Sequence, residues 1–251
     1  IVKCIRANKH VFIEKPICLQ PKQLKTIKRL LLNRRNIISS NMVLRTTPLF
    51  IEAKKEIEKK QFGNVFYLEA DYLWGRVHKL YEWRSKINNY SLILGAAIHM
   101  IDLIVWILNM KPTHVTAYGN KIGVNNIKFD SFSIIILEFK NGNIAKVTAN
   151  APSVHPHFHS LSIFGSKKTL IHNFNSTTCL IKTKKSNKIK KMIDKYPAKQ
   201  MRYKVINEFI NHLNNKKNKL MINKKNIFDV MEICFSAQKS LKLKKRIKIN
   251  Y

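Results

Sequence analysis

The chain has 251 residues, with 47 lysines and arginines against 14 aspartates and glutamates, a formal net charge of +33. Its hydrophobic share of 45% supports a sizeable core and excludes a disordered tail, while the longest near-continuous apolar run, residues 93–108, is shorter than the roughly 18 to 20 residues that span a bilayer. The charge suggests nucleic acid, but 38 of the cations are lysine and only 9 are arginine, the residue suited to bidentate phosphate and base contacts, so a solvated lysine-rich surface is expected and a nucleic-acid partner is not.

Residue 1 falls inside what reads as a helix end. Residues 10–14 (HVFIE) form a short apolar strand that Pro16 stops. Pro21 opens a helix with Leu24, Ile27 and Leu31 at helical spacing, and a second strand follows over 37–44. Two strands joined by a helical crossover make a parallel βαβ unit. A helix over 48–60 carries Phe50, Ala53 and Ile57 on one stripe, with Gly63 as its stop. From 65 to 74 the pattern alternates, with Phe66, Leu68, Ala70, Tyr72 and Trp74 on one face. A short helix over 96–108 precedes strand-like runs at 114–122, 131–140, 144–151, 157–164, 169–174 and 178–184. Asn141-Gly142 marks a hairpin turn among them. Helices over 202–214 and 226–242 and a strand over 246–250 follow.

The fold class expected is α/β followed by α+β. Residues 1–45 read as the C-terminal remnant of a doubly wound dinucleotide-binding domain, and 46–251 as an open antiparallel-sheet α/β domain. A two-stranded parallel sheet is unusual alone, so a complete dinucleotide-binding half is expected to need roughly 80 residues ahead of Ile1.

Several residues stand where chemistry is expected. Lys15 follows the first strand at its carboxyl end, where open α/β sheets bind ligands. Desolvation there lowers an amine toward a useful range for proton transfer; the structural alternative is a lysine that caps a strand. His99 lies in a nearly all-apolar helix with Asp102 on the same face. The two either orient each other for acid–base work or fix helix docking. Arg45 ends the second strand and is expected to look into the same crevice. Trp83 and Arg84 offer an aromatic ring beside a guanidinium, suited to a phosphate or a planar ring. His155, His157 and His159 alternate as on one strand face, a spacing that permits metal. Pro156 interrupts them and no acid or cysteine is near, so no metal is expected; a polar, sugar-sized site or an exposed face fits better. The four cysteines lie far apart with no C-x-x-C pair, which suggests a reducing, cytoplasmic compartment.

Together these segments resemble the Gfo/Idh/MocA family of NAD(P)-dependent oxidoreductases over nearly the whole chain. HVFIEKP (10–16) is similar to the family's EKP strand and turn, and NMVLRTTP (41–48) to the segment leaving the nucleotide-binding domain. EWRSKINNYSLILGAAIHMIDLIVWIL (82–108) resembles its W-R segment and G-x-H-x-x-D helix, and LSIFGSKKTLI (161–171) its late sheet motif. The resemblance implies an N-terminal Rossmann domain and a C-terminal substrate and oligomerisation domain. It also implies NAD or NADP as cofactor, and hydride transfer to or from a carbinol carbon of a sugar, nucleotide sugar or cyclitol. Lys15 and His99 would then handle the hydroxyl proton. Glu14, Lys15, Pro16, Trp83 and Arg84 would meet the cofactor, and Arg45, Tyr72, Asp102 and His157 the substrate. A homo-oligomer through the open sheet face is expected. Rivals are cofactor-assisted isomerisation or elimination on the same fold, an inactive fragment, and a basic binding protein.

Two departures bear on the site. Many family members carry an aspartate four residues before the histidine, where this chain has Gly95, which leaves His99 as the better proton shuttle. Lys168 stands at a usual glycine of the late motif, where only a turn is expected to change.

Overall fold

The computed structural model describes residues 1–184, 186–192, 196–215 and 218–251. A short helix, α1 (Val2–Arg6), precedes a βαβ unit of β1 (Val11–Ile13), α2 (Pro21–Leu31) and β2 (Ile38–Ser40). The two strands pair in parallel, Phe12 opposite Ser39. Pro21 sits in the first turn of α2, where its missing N–H has no helical partner to lose. The Gln20 N–H donates to Gln23 Oε1 at 3.1 Å and completes the cap. The second strand is shorter than predicted, because the chain tightens into a 3-10 turn at Val43–Thr46 before α3 (Pro48–Glu58).

The remaining strands are β3 (Val65–Leu73), β4 (Pro112–Asn120), β5 (Phe132–Phe139), β6 (Ile144–Asn150), β7 (Phe158–Gly165), β8 (Lys168–His172), β9 (Thr177–Lys182), β10 (Asn187–Met192) and β11 (Ile247–Lys248). Among the described residues they form one nine-stranded sheet, ordered β10-β9-β8-β7-β3-β6-β5-β4-β11. It is mixed rather than wholly antiparallel: β3 and β6 run parallel, Ala70 opposite Val147. The long connection between them carries a helix, α4 (Ile98–Leu108), and the β4–β5 pair, and such a crossover can return the chain in the same direction. β10 escaped the sequence reading because its exposed Lys-rich pattern carries no apolar alternation; charge on an edge strand guards it against further pairing.

The predicted face of β3 holds for Leu68, Ala70 and Tyr72, with Trp74 buried just beyond the strand, but not for Phe66, which is 56% exposed. A register shift between Val65 and Tyr67 in the pairing with β7 pushes Phe66 out of alternation. Lys168 does more than alter a turn. It opens β8, is buried, and its Nζ lies 2.5 Å from Glu56 on α3.

A wide π-helical turn, Ile93–Ala97, leads into α4, which is buried almost all round. That is the expected environment of a helix apolar on every side. It packs against β3 and β6 and against α3 and a long helix, α6 (Lys224–Leu243). The Asn226 N–H donates to Asn223 Oδ1 at 3.0 Å and starts α6. Another helix, α5 (Lys204–Asn214), lies just before it in the chain. No helix among the described residues is long and apolar enough to cross a membrane.

Candidate active site

β1 delivers Glu14 and Lys15 at the carboxyl end of the parallel pair. A pocket of about 360 Å³ opens there, lined by Lys15, His99, Asn41, Phe12 and Arg202 among others. The structure thus brings together the amine and the imidazole singled out from the sequence. Glu14 is steadied across the pair by Asn41, whose amide donates to its Oε1 at 2.6 Å. Burial pulls the Lys15 amine down from 10.5 to about 8; the Glu14 charge opposes the shift and the Arg84 charge adds to it.

Lys15 Nζ donates to the Gly95 carbonyl at 2.5 Å. A neutral backbone oxygen therefore aims the amine where an acid was considered. Gly95 has no room for a side chain: a Cβ there would lie 1.8 Å from the Tyr90 hydroxyl oxygen. The Tyr90 ring fills that space, and burial pushes its hydroxyl up to about 12, so the phenol stays protonated.

His99 is buried in the first turn of α4, and its Nδ1 has no hydrogen-bond partner. Burial, followed by the nearby charge of Lys15, holds it well below the usual histidine range. The imidazole is neutral at physiological pH. Tyr72 of β3 stacks on it, ring centroids 6.0 Å apart and planes 7° from parallel. Tyr72 also meets His159 edge-on at 4.7 Å and His157 at 5.2 Å. His157 Nδ1 donates to the Trp74 carbonyl at 3.0 Å, which leaves Nε2 as an acceptor. Burial and then Arg76 press His157 down to about 4. His159 Nδ1 hydrogen-bonds the Tyr196 hydroxyl. His155 does not share this wall: it is half-buried, with its ring against Phe158 and Phe174. Among the described residues no group of three His, Cys, Asp or Glu is placed to hold a metal ion.

Gly75 brings the end of β3 onto this wall. Its φ is +58°, and a Cβ would lie 2.3 Å from the His155 carbonyl oxygen and 2.5 Å from the His157 nitrogen. Only glycine permits that approach, which carries Arg76 in beside His157. Trp74 Nε1 donates to the Arg76 carbonyl at 2.7 Å and pins the turn. The Arg84 guanidinium lies 4.2 Å from the Trp83 ring centroid and 5.4 Å from that of Trp74, with one N–H donating to the Lys79 carbonyl.

Two expectations need correction. Arg45 does not look into the crevice, and Asp102 does not orient His99 or meet a ligand. Each is 2% exposed, and they hold each other: Arg45 Nε donates to Asp102 Oδ2 at 2.9 Å and Nη2 to Oδ1 at 2.6 Å. Arg45 Nη1 donates to the Met221 carbonyl at 2.9 Å. A planar guanidinium satisfies both carboxylate oxygens at once, which a single imidazole N–H cannot do. The pair ties the 3-10 turn to α4 and to the segment ahead of α6. Arg76, Arg202, Asn41 and Tyr196 were not singled out from the sequence. For the two arginines the one signal was the scarcity of that residue, since Arg76, Arg84 and Arg202 are three of nine.

Residues 50–171 match the GFO/IDH/MocA C-terminal domain. An inositol 2-dehydrogenase of Saccharopolyspora erythraea is 24% identical over 146 residues, 57% of this chain and 41% of that enzyme. The matched part thus spans less than half of that enzyme's length. Among solved structures, a levoglucosan dehydrogenase in complex with NADH superposes with a TM-score of 0.87 at 15% identity, covering 99% of this chain and 76% of that one. A myo-inositol 2-dehydrogenase from Lactobacillus plantarum superposes at 0.82 with 16% identity, over 99% and 76%. An oxidoreductase from Klebsiella pneumoniae described as NAD-binding superposes at 0.86 with 13% identity, over 100% and 76%. The structural likenesses show the fold. Residues 50–171 thus resemble the C-terminal domain of the Gfo/Idh/MocA family, set in the fold that these structures share.

Proposed function

We propose that the protein is an NAD(P)-linked oxidoreductase that interconverts a carbinol and a carbonyl on a sugar or cyclitol. The observation that carries this reading is the convergence of Lys15 and His99 on one pocket at the carboxyl ends of the parallel strands. The named substrates of the relatives, inositol and levoglucosan, are of the same chemical class. Nicotinamide would supply the hydride acceptor or donor. Glu14, Lys15, Pro16, Trp83 and Arg84 are the residues assigned to its side of the pocket. The half-buried amine and the Arg84 guanidinium over the Trp83 indole suit a planar, partly charged ring.

In the oxidative direction the neutral Lys15 amine takes the hydroxyl proton, and in the reductive direction the ammonium returns it. An amine near 8 is matched to that task; an imidazole held well below 6.5 is a poor base and serves instead as a neutral hydrogen-bonding partner of the same oxygen. Tyr72 and His157 form the wall against which the substrate's other hydroxyls rest. Pairing of two copies through the open sheet face belongs to the same reading.

The test is NADH or NADPH formation from inositols and aldohexoses by the intact protein. Lys15→Ala and His99→Ala are each expected to cut turnover by roughly 100- to 10,000-fold. Wild-type rates in both variants would remove the assignment.

A further inference from the structure

The pocket is cationic, with Glu14 as the one acid on its lining. Lys15 and Arg202 line it, Arg84 stands close enough to influence Lys15, and Arg76 stands close enough to influence His157, which meets Tyr72, the ring stacked on His99. Among the described residues none of these four has a carboxylate within ion-pair distance: the pairs formed there use Lys28, Arg45, Lys54, Lys111, Lys146, Lys168, Lys225 and Arg246. Glu14 already accepts from Asn41.

Neutral groups on the wall do not relieve this. Tyr72, His157 and His159 carry no charge near neutral pH, and Arg76 and Arg202 are among the reasons both histidines resist protonation. Arg76 Nε is buried without a hydrogen-bond partner. The Arg76 side chain also reaches Tyr72, but a buried guanidinium N–H left without a partner is costly unless a ligand completes it. Arginine is also the scarce cation here, 9 against 38 lysines, so a general lysine-rich surface does not explain its presence at this spot.

We propose that the substrate carries an oxyanion, a carboxylate or a phosphate, and that Arg76 and Arg202 hold it against the Tyr72–His157–His159 wall. This rests on the carbinol–carbonyl reading and narrows its substrate to sugar acids or phosphorylated sugars. Arg76 comes from the turn after β3 and Arg202 from the turn before α5, so they approach the wall from separate elements. Lys15 and His99 remain for the reacting hydroxyl.

The experiment compares D-glucose, myo-inositol, D-glucuronate, glucose 6-phosphate and UDP-glucose on the intact protein. It uses two readouts, NADH or NADPH formation and tryptophan-fluorescence titration. An anionic member is expected to exceed its neutral parent about 100-fold in affinity or kcat/KM, and glucuronate against glucose 6-phosphate separates carboxylate from phosphate. Arg76→Gln and Arg202→Gln should each weaken that anionic ligand by roughly 10- to 100-fold while leaving NADH affinity unchanged. Arg202→Lys should restore part of the loss, and circular dichroism confirms that each variant is folded. Equal binding of neutral and anionic members overturns the proposal. So do arginine variants that lose NADH instead of sugar, because the oxyanion would then be the cofactor's. Anion-selective binding without any hydride transfer supports the oxyanion site and overturns the oxidoreductase reading. Turnover of neutral sugars alone does the reverse.

Discussion

His99 and Asp102 stand three residues apart on α4, and their surroundings are opposites. Both Asp102 oxygens are taken by Arg45, whose third nitrogen is taken by a backbone carbonyl, and the cluster is shut away from water. His99 has a buried nitrogen with no partner and looks, with Lys15 and Arg202, onto a pocket. A polar cluster satisfied within the protein holds elements together and has nothing left to offer a ligand. One left partly unsatisfied beside a cavity keeps its donors and its proton-transfer capacity for whatever enters.

The largest effect that would break or sharpen this contrast is at Lys15. Lys15→Arg keeps the positive charge but removes the ability to release a proton near neutrality. Loss of roughly 100-fold or more in kcat/KM is expected, with an unchanged melting temperature. Substantial retained activity would mean that the site needs a cation there and not a base. Asp102→Ala should do the opposite, costing about 3–5 kcal/mol of stability by leaving a buried guanidinium unpaired. Denaturant unfolding that shows less than about 1 kcal/mol would deny the pair its structural role. A smaller cost, about 1–3 kcal/mol, is expected for Gly95→Ala, since the Tyr90 ring must move. In a double-mutant cycle with Tyr90→Ala the two costs should fall short of their sum; strict additivity would place the clash elsewhere.

The His99 half of this contrast is legible in the sequence, the Asp102 half is not, and the features that stay hidden share a cause. The order of elements, the parallel first pair and the 141–142 hairpin follow from apolar period and turn residues, which act locally. Lys15 was legible because strand ends in open sheets are binding positions, and His99 because a polar residue in an apolar helix must be explained. Sequence spacing placed His99 and Asp102 on one face but gave no sign that Arg45, 57 residues from Asp102, would claim the carboxylate. Arg76 reaches the site through the Gly75 turn, and Arg202 comes from a segment with no motif. The parallel β3–β6 pairing was hidden for the same reason, since strand direction inside a large sheet is settled by long-range connections.

The central claim, that a desolvated lysine and not the histidine moves the proton, is tested most directly by the pH dependence of kcat/KM for carbinol oxidation by the intact protein. Lys15 is lowered toward 8 and its neutral form is the base, so the rate should rise through about pH 8 and level off above it. The reverse reaction should fall over the same interval, and Lys15→Ala should abolish both inflections. A profile that rises near pH 6 to 7 and survives the loss of Lys15 would contradict the claim and return the proton to His99.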